Sequence, residues 1–151
     1  MLSEPALHWR LRSSLVDYLT GLPDGEVRVS DGAAVDSAGR FHFINGDRDA
    51  DTIRWRGRVT LSGHHGMMHI EFRDPELSWA EACPTISATC WNPVEEVWGP
   101  AKLATLRPLN ESLPAVGAWF AEAKLHDEGA ELLGRMHYWE GQPLDRVTVL
   151  V

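Results

Sequence analysis

Hydrophobic and polar positions follow two different periods along this chain, and the first is helical. Leu11, Leu15 and Leu19 recur every four residues within 8–20, which predicts an amphipathic helix ending at the segment GLPDG. Tyr18 falls in the last turn of this helix, on the same side as Leu15 and Leu19. From spacing alone, the Tyr18 ring is expected to pack on the core with its hydroxyl in water.

From residue 26 onward the period is two, which is typical of half-buried antiparallel strands. The segment 52–63 is predicted to be one long strand, and 67–79 is predicted to be the next. The segment GHHG at 63–66 lies between them at hairpin length, with a glycine at each end. Further strands are predicted at 26–32, 40–46, 85–91, 102–109 and 145–151. Residues 114–139 are compatible with a helix around 128–137 or with short strands.

These periods predict a mainly β fold, built as a single antiparallel β-sandwich or barrel-like domain over residues 1–151. The predicted domain has one N-terminal helix, and the sequence is also compatible with a second short helix. The 151 residues suit one domain with one core, and the sequence shows no repeat or linker.

The charge balance narrows the choice of partner. The chain has 22 acidic and 14 basic residues and a formal net charge of −8. This balance argues against nucleic acid as the main partner, because phosphate binding needs a basic face. A local pocket can still oppose the global charge and hold a small anionic ligand.

The N-terminus and the cysteines bear on the cellular compartment. Charged residues interrupt the first twenty positions, so no signal peptide is predicted, and no stretch approaches a membrane span. We therefore expect a cytoplasmic protein without a membrane segment. Cys83 and Cys90 form no disulfide framework, and reduced thiols are expected, although pairing across neighbouring strands stays open.

The adjacent histidines His64 and His65 allow three interpretations. A zinc site would need partners such as His42, His69 or Cys83, and no H-x-x-x-H or C-x-x-C spacing is present. Nucleophilic catalysis would need an elbow such as G-x-S-x-G, which is also absent from the sequence. The third interpretation is that one histidine is a turn residue in solvent.

Three spaced motifs occur in order along the chain. The first is W-x-x-x-x-S-x-x-x-Y, ending at Tyr18. The second is G-x-V-x-x-x-G-H-x-G, ending at Gly66 and followed by Asp-Pro at 74–75. The third is Y-x-x-G-x-x-L-D-x-V-T at 138–148. Together they resemble the HtaA-type haem-binding domain of bacterial haem-uptake proteins, over about residues 7–149.

The resemblance implies a haem site with named residues. Tyr18 corresponds to the tyrosine that binds haem iron, and His64, which directly follows Gly63, corresponds to the histidine that hydrogen-bonds it. His65 occupies the variable position of the motif. A phenol with a pKa of about 10 becomes a good ligand when hard Fe(III) displaces its proton. The nearest candidates for an apolar haem slot are Phe41, Phe43, Trp55, Met67 and Met68, and for each of them a plain core position is the alternative. The candidate cations for the propionates are Arg12, Arg54, Arg56 and Arg58.

The leading hypothesis is a haem-binding protein that captures, stores or transfers ferric haem, with haem-donor or haem-acceptor proteins as partners. One alternative is a cytosolic haem-dependent enzyme, peroxidase-like for example, with His64 and His65 beside an open iron face. Another is a small-ligand or interaction module that kept the fold without haem. Members of the family are usually exported, in contrast to the cytoplasmic location expected for this chain.

Overall fold

Antiparallel strands dominate the computed structural model, which describes residues 4–110 and 116–151. The predicted mainly β, barrel-like fold is confirmed, and so is the option of a second helix. The helices are α1 (Ser13–Thr20) and α2 (Asp127–Leu133). The strands are β1 (Ala6–Trp9), β2 (Glu26–Ser30), β3 (Ala33–Val35), β4 (Phe41–Phe43), β5 (Asp47–Arg48), β6 (Thr52–Arg54), β7 (Arg58–Gly63), β8 (Met68–Ser78), β9 (Thr85–Asn92), β10 (Val97–Pro108), β11 (Ala118–Leu125) and β12 (Pro143–Leu150).

The strands form one sheet that nearly closes on itself. Its hydrogen-bonded order is β2-β7-β8-β9-β10-β11-β12-β1-β4-β3, with the β5–β6 pair attached to β8. The two ends of this order, β2 and β3, contact each other, so the sheet has a barrel-like shape. The first and last strands of the chain are neighbours, with Leu7 opposite Val149. Among the described residues, no helix has both the length and the apolar character needed to cross a membrane.

One cluster of apolar side chains fills the interior, as the two-residue period predicts. In β7, Val59 and Leu61 are fully buried, and they lie opposite Phe72 and Ile70 of β8. Trp9 is also buried, and its indole N–H donates to the carbonyl oxygen of Asp145 at 2.8 Å. Six large aromatic side chains therefore support the sheet from inside, namely Trp9, Trp55, Trp119, Phe41, Phe43 and Phe72.

The helix predicted over 8–20 is wrong in its first turn. Residues 6–9 form β1, which pairs with both β12 and β4, and the helix begins only at Ser13. Leu11 is buried between the two elements with a φ of 65°, which no α-helix accommodates. Pairing with strands distant in sequence therefore overrides the local four-residue repeat.

The single strand predicted over 52–63 is also wrong, because the chain breaks at Gly57. Gly57 has a φ of 155°, and an added Cβ would lie 2.7 Å from Ala33 Cβ and 2.8 Å from Phe43 Cδ1. The break leaves β6 paired with one end of β8 and β7 paired with the other. In the ambiguous region, 118–125 is strand and 127–133 is helix, while residues 114 and 115 lie outside the described residues.

Candidate functional site

Tyr18 and His64 meet at the surface although 46 residues separate them in the sequence. The Tyr18 Oη atom lies 2.6 Å from His64 Nε2, and the two ring centroids are 5.6 Å apart. When the imidazole carries its proton on Nδ1, the Tyr18 hydroxyl donates this hydrogen bond. Tyr18 is 51% exposed, so the expectation that its ring packs on the core is wrong.

Close packing between helix α1 and strand β7 sets this distance. The helix buries Leu15, Val16 and Leu19, which leaves Tyr18 at the edge of its buried face. Gly63, at the end of β7, lies directly against this helix. An added Cβ on Gly63 would lie 2.9 Å from Leu19 Cδ2. A glycine at this position thus allows the histidine turn to approach Tyr18.

The turn at 64–66 has an unusual backbone. His64 and His65 have φ values of 52° and 56°, and both are therefore left-handed, which costs L-residues free energy. The Asp24 carboxylate accepts the backbone N–H of His65 at 2.5 Å, and this hydrogen bond lowers the pKa of Asp24. Asp24 therefore holds the turn that presents His64. The side chain of His65 is 95% exposed, and its Nδ1 lies 3.7 Å from Asp24 Oδ2.

A cleft of about 480 Å³ opens beside the Tyr18–His64 pair. Its other lining residues are Met67, Met68, His137 and Tyr138. Met68 packs against the core, whereas Met67 is 91% exposed at the rim. The size and the mainly apolar lining suit a small organic ligand, with a few polar groups to orient it.

His137 and Tyr138 also line the cleft, although neither was predicted from the sequence as a site residue. They lie in the loop between α2 and β12, which the fold brings to the cleft. Tyr138 is the first residue of the third motif, so the motif could have identified Tyr138 as a site residue. No motif in the sequence includes His137. Burial raises the pKa of Tyr138, and the nearby Arg12 guanidinium opposes that shift.

Of the four arginines considered for ligand carboxylates, Arg12 is the one beside this cleft. Its guanidinium carbon lies 5.6 Å from the centroid of the Tyr138 ring, and its Nε donates to Ser14 Oγ at 3.1 Å. The other three lie elsewhere. Arg54 pairs with Glu76, Arg58 pairs with Glu71, and Arg56 lines a different cleft.

Three predicted lining residues are core residues and do not line the cleft. Phe41 and Phe43 are buried in β4, which pairs with β1. Trp55 is buried as well, and its indole N–H donates to the carbonyl oxygen of Pro5 at 3.0 Å. The structure thus brings Tyr18, His64, Met67 and Met68 together, and it separates Phe41, Phe43 and Trp55 from them.

Within residues 4–110 and 116–151, no group of three or more His, Cys, Asp or Glu side chains is arranged to hold a metal ion. Cys83 and Cys90 are both free thiols. Burial raises the pKa of Cys90 to about 12, so this thiol does not form a thiolate nucleophile at neutral pH.

Residues 4–150 match the sequence profile of the HtaA family (Htaa). The chain belongs to the HtaA family. Among curated protein sequences, none matches the chain.

Solved structures from Corynebacterium glutamicum are similar to this HtaA-family chain. The C-terminal domain of HtaA superposes with a TM-score of 0.80 at 19% identity, covering 98% of this chain and 95% of that one. The heme binding protein HtaB gives a TM-score of 0.81 at 18% identity, covering 96% and 90%. The N-terminal domain of HtaA gives 0.75 at 20% identity, covering 100% and 98%. At these identities the likeness establishes a shared fold.

Proposed function

We propose that this protein binds ferric haem in the cleft beside α1, for haem capture, storage or transfer. In this proposal the phenolate oxygen of Tyr18 is the protein ligand of the iron, and His64 is its hydrogen-bond partner. The observation that carries the proposal is the 2.6 Å contact between Tyr18 Oη and His64 Nε2 at the mouth of an apolar cleft.

The donor set of the cleft fits ferric haem. A phenolate oxygen is a hard anionic ligand and suits Fe(III), as in catalase-type ligation. Met67, Met68 and the Tyr138 ring offer apolar and polarisable contacts for a porphyrin face. Arg12, beside Tyr138, is the cation available to a propionate.

His64 has a defined chemical task in this site. Iron binding by Tyr18 requires loss of the phenolic proton, since only the deprotonated form is a good ligand. His64 Nε2 lies within hydrogen-bond distance of that oxygen, so it can accept the proton and afterwards orient the phenolate. The Asp24 carboxylate keeps the histidine turn in place for this contact.

Membership of the HtaA family supports the proposal, as does the shared fold with HtaB, which is itself a heme binding protein. His65, Phe43 and Trp55 are not part of the proposed site, because His65 extends into solvent and the two aromatic residues lie in the core.

An absorption titration of the apo-protein with ferric haem tests the proposal. We expect saturation at one haem per chain for the wild type. Tyr18→Phe keeps the ring but removes the ligand oxygen, so it should lose the tyrosinate charge-transfer bands and most of the affinity. His64→Ala should bind more weakly while Tyr18 remains a ligand.

A matched control is His69→Ala. His69 lies in β8, and its Nε2 is 3.2 Å from Glu71 Oε2, outside the cleft. This variant should titrate like the wild type. A Tyr18→Phe protein with the wild-type spectrum and affinity would contradict the assignment of the ligand. The absence of saturable binding in the wild type would instead favour a haem-free module on the same fold.

A further inference from the structure

The loop 134–142 carries a second histidine at the cleft, His137, and hydrogen bonds hold the backbone of this loop in place. The N–H groups of His137 and Tyr138 both donate to the carbonyl oxygen of Gly134, at 3.3 and 3.0 Å. The side chain of Gln142 is buried, and its Nε2 donates to the carbonyl oxygen of His137 at 3.2 Å. Gln142 Oε1 also accepts the N–H of Trp139 at 3.3 Å. This network holds the segment 137–139 at the cleft wall.

The His137 side chain differs from that of His64 in its hydrogen bonding. His64 Nε2 is engaged by the Tyr18 hydroxyl. His137 lines the same cleft, and within residues 4–110 and 116–151 its side chain forms no hydrogen bond or ion pair. A solvent-accessible imidazole without a protein partner keeps a nitrogen lone pair free for a ligand.

We propose that His137 is a second protein ligand of the haem iron, on the face that Tyr18 does not occupy. This inference rests on the proposed haem site and deepens it, because it names the group at the open face. Among the lining residues, the other donors without a side-chain hydrogen bond are the Tyr138 hydroxyl and the Met67 and Met68 thioethers. A neutral imidazole can bind iron at once, whereas the Tyr138 phenol must first lose a proton, which favours His137 over Tyr138. Ferric iron accepts imidazole more readily than a soft thioether, which favours His137 over both methionines.

Ligation by His137 would limit the access of other ligands to the haem iron. With side chains on both faces, the iron is shielded from small molecules, which suits storage or transfer and disfavours peroxidase-like turnover. A ligand added from solution must first displace His137, so its apparent affinity is reduced by the fraction of protein with His137 bound.

The spin state of the ferric iron distinguishes a haem that His137 binds from a haem that only Tyr18 binds. The wild-type protein loaded with one equivalent of ferric haem should be low-spin by absorption and electron paramagnetic resonance. His137→Ala should keep the one-to-one stoichiometry and the dependence on Tyr18, but become high-spin. Added imidazole should restore the low-spin spectrum of this variant. Cyanide should bind His137→Ala about ten- to a hundredfold more tightly than the wild type.

His69→Ala is the matched control, because it removes an imidazole outside the cleft, and its spectrum should stay low-spin. His137 is exposed, so its replacement should leave the melting temperature unchanged.

Identical spectra for the wild type and His137→Ala at saturation would overturn the inference about His137 without contradicting the proposed haem site. Loss of the low-spin signal in Met67→Leu or Met68→Leu, with none in His137→Ala, would overturn it in favour of a thioether. A wild type without saturable haem binding would overturn the proposed function itself.

Discussion

Replacing Asp36 by asparagine removes one charge from a compact cluster between β1, β3 and β4. Asp36 Oδ2 accepts a hydrogen bond from His8 Nδ1 at 2.7 Å and one from Arg40 Nε at 3.0 Å. Asp36 Oδ1 accepts the backbone N–H groups of Ala38 and Arg40, at 2.9 Å each. The His8 ring in turn stacks on His42 at 4.2 Å between centroids. Asparagine keeps an acceptor for the two backbone groups, so the substitution mainly tests the charge.

The pKa of Asp36 sets the size of the effect. Burial raises this pKa, but the hydrogen bond from His8, the two backbone N–H groups and the charge of Arg40 outweigh burial and lower it to about 2. The side chain is only 11% exposed, so solvent screens these interactions little. The difference from an ordinary carboxyl corresponds to about 2 kcal/mol of folding free energy at pH 7.

The sign of the pH dependence follows from the lowered pKa. The stabilisation is complete above the pKa of the unfolded chain, about 4, and it is lost as the pH falls through about 2. We therefore expect Asp36→Asn to be less stable than the wild type by about 2 kcal/mol at pH 7 and by about 1 kcal/mol at pH 3.

Urea unfolding followed by tryptophan fluorescence measures both differences, and the seven tryptophans provide the signal. Asp51→Asn is a suitable control. Asp51 is exposed, and its side chain makes no hydrogen bond or ion pair in the described part of the chain. A stability difference for Asp36→Asn that is the same at pH 7 and pH 3, or as small as that of the control, would refute the reasoning.

Two further predictions concern the histidine turn. Gly63→Ala should cost about 1–3 kcal/mol in urea unfolding, since the new Cβ would lie 2.9 Å from Leu19 Cδ2; it should also weaken haem binding by displacing α1. Its control is Gly99→Ala, where an added Cβ meets nothing within 4 Å, and equal stabilities of the two variants would contradict the packing argument. Asp24→Ala removes the acceptor of the His65 N–H, so we expect weaker haem binding in the absorption titration. We also expect a lower melting temperature, because the hydrogen bond that lowers the pKa of Asp24 stabilises the folded protein. Unaltered binding would mean that the turn keeps its shape without Asp24.

The sequence determined the fold class, because the two-residue alternation of apolar side chains can be satisfied only by strands with one face in a core. Six of the seven strands predicted from this alternation are present, including the long one after GHHG, whereas β1, β3 and β5 were not predicted. The ordered motifs also determined the family, and with it the expectation that Tyr18 and His64 act together. In the structure the side chains of Tyr18 and His64 do share a hydrogen bond.

Where elements begin and break depended on contacts between distant residues. Trp9 belongs to a strand because β4 and β12 flank it, although the local repeat around Leu11 favours a helix. The break at Gly57 exists because Ala33 and Phe43 leave no room for a side chain there. Neither cause is visible in a local window of sequence.

The membership of the cleft was likewise decided by tertiary structure alone. Phe43 and Trp55 are near the histidine turn in sequence, but their strands point them into the core. His137 and Tyr138 are more than seventy residues away from that turn, yet the loop before β12 brings them to it. The period of the sequence indicates which face of a strand is apolar. The walls of a cleft depend instead on which segments the folded sheet brings next to each other.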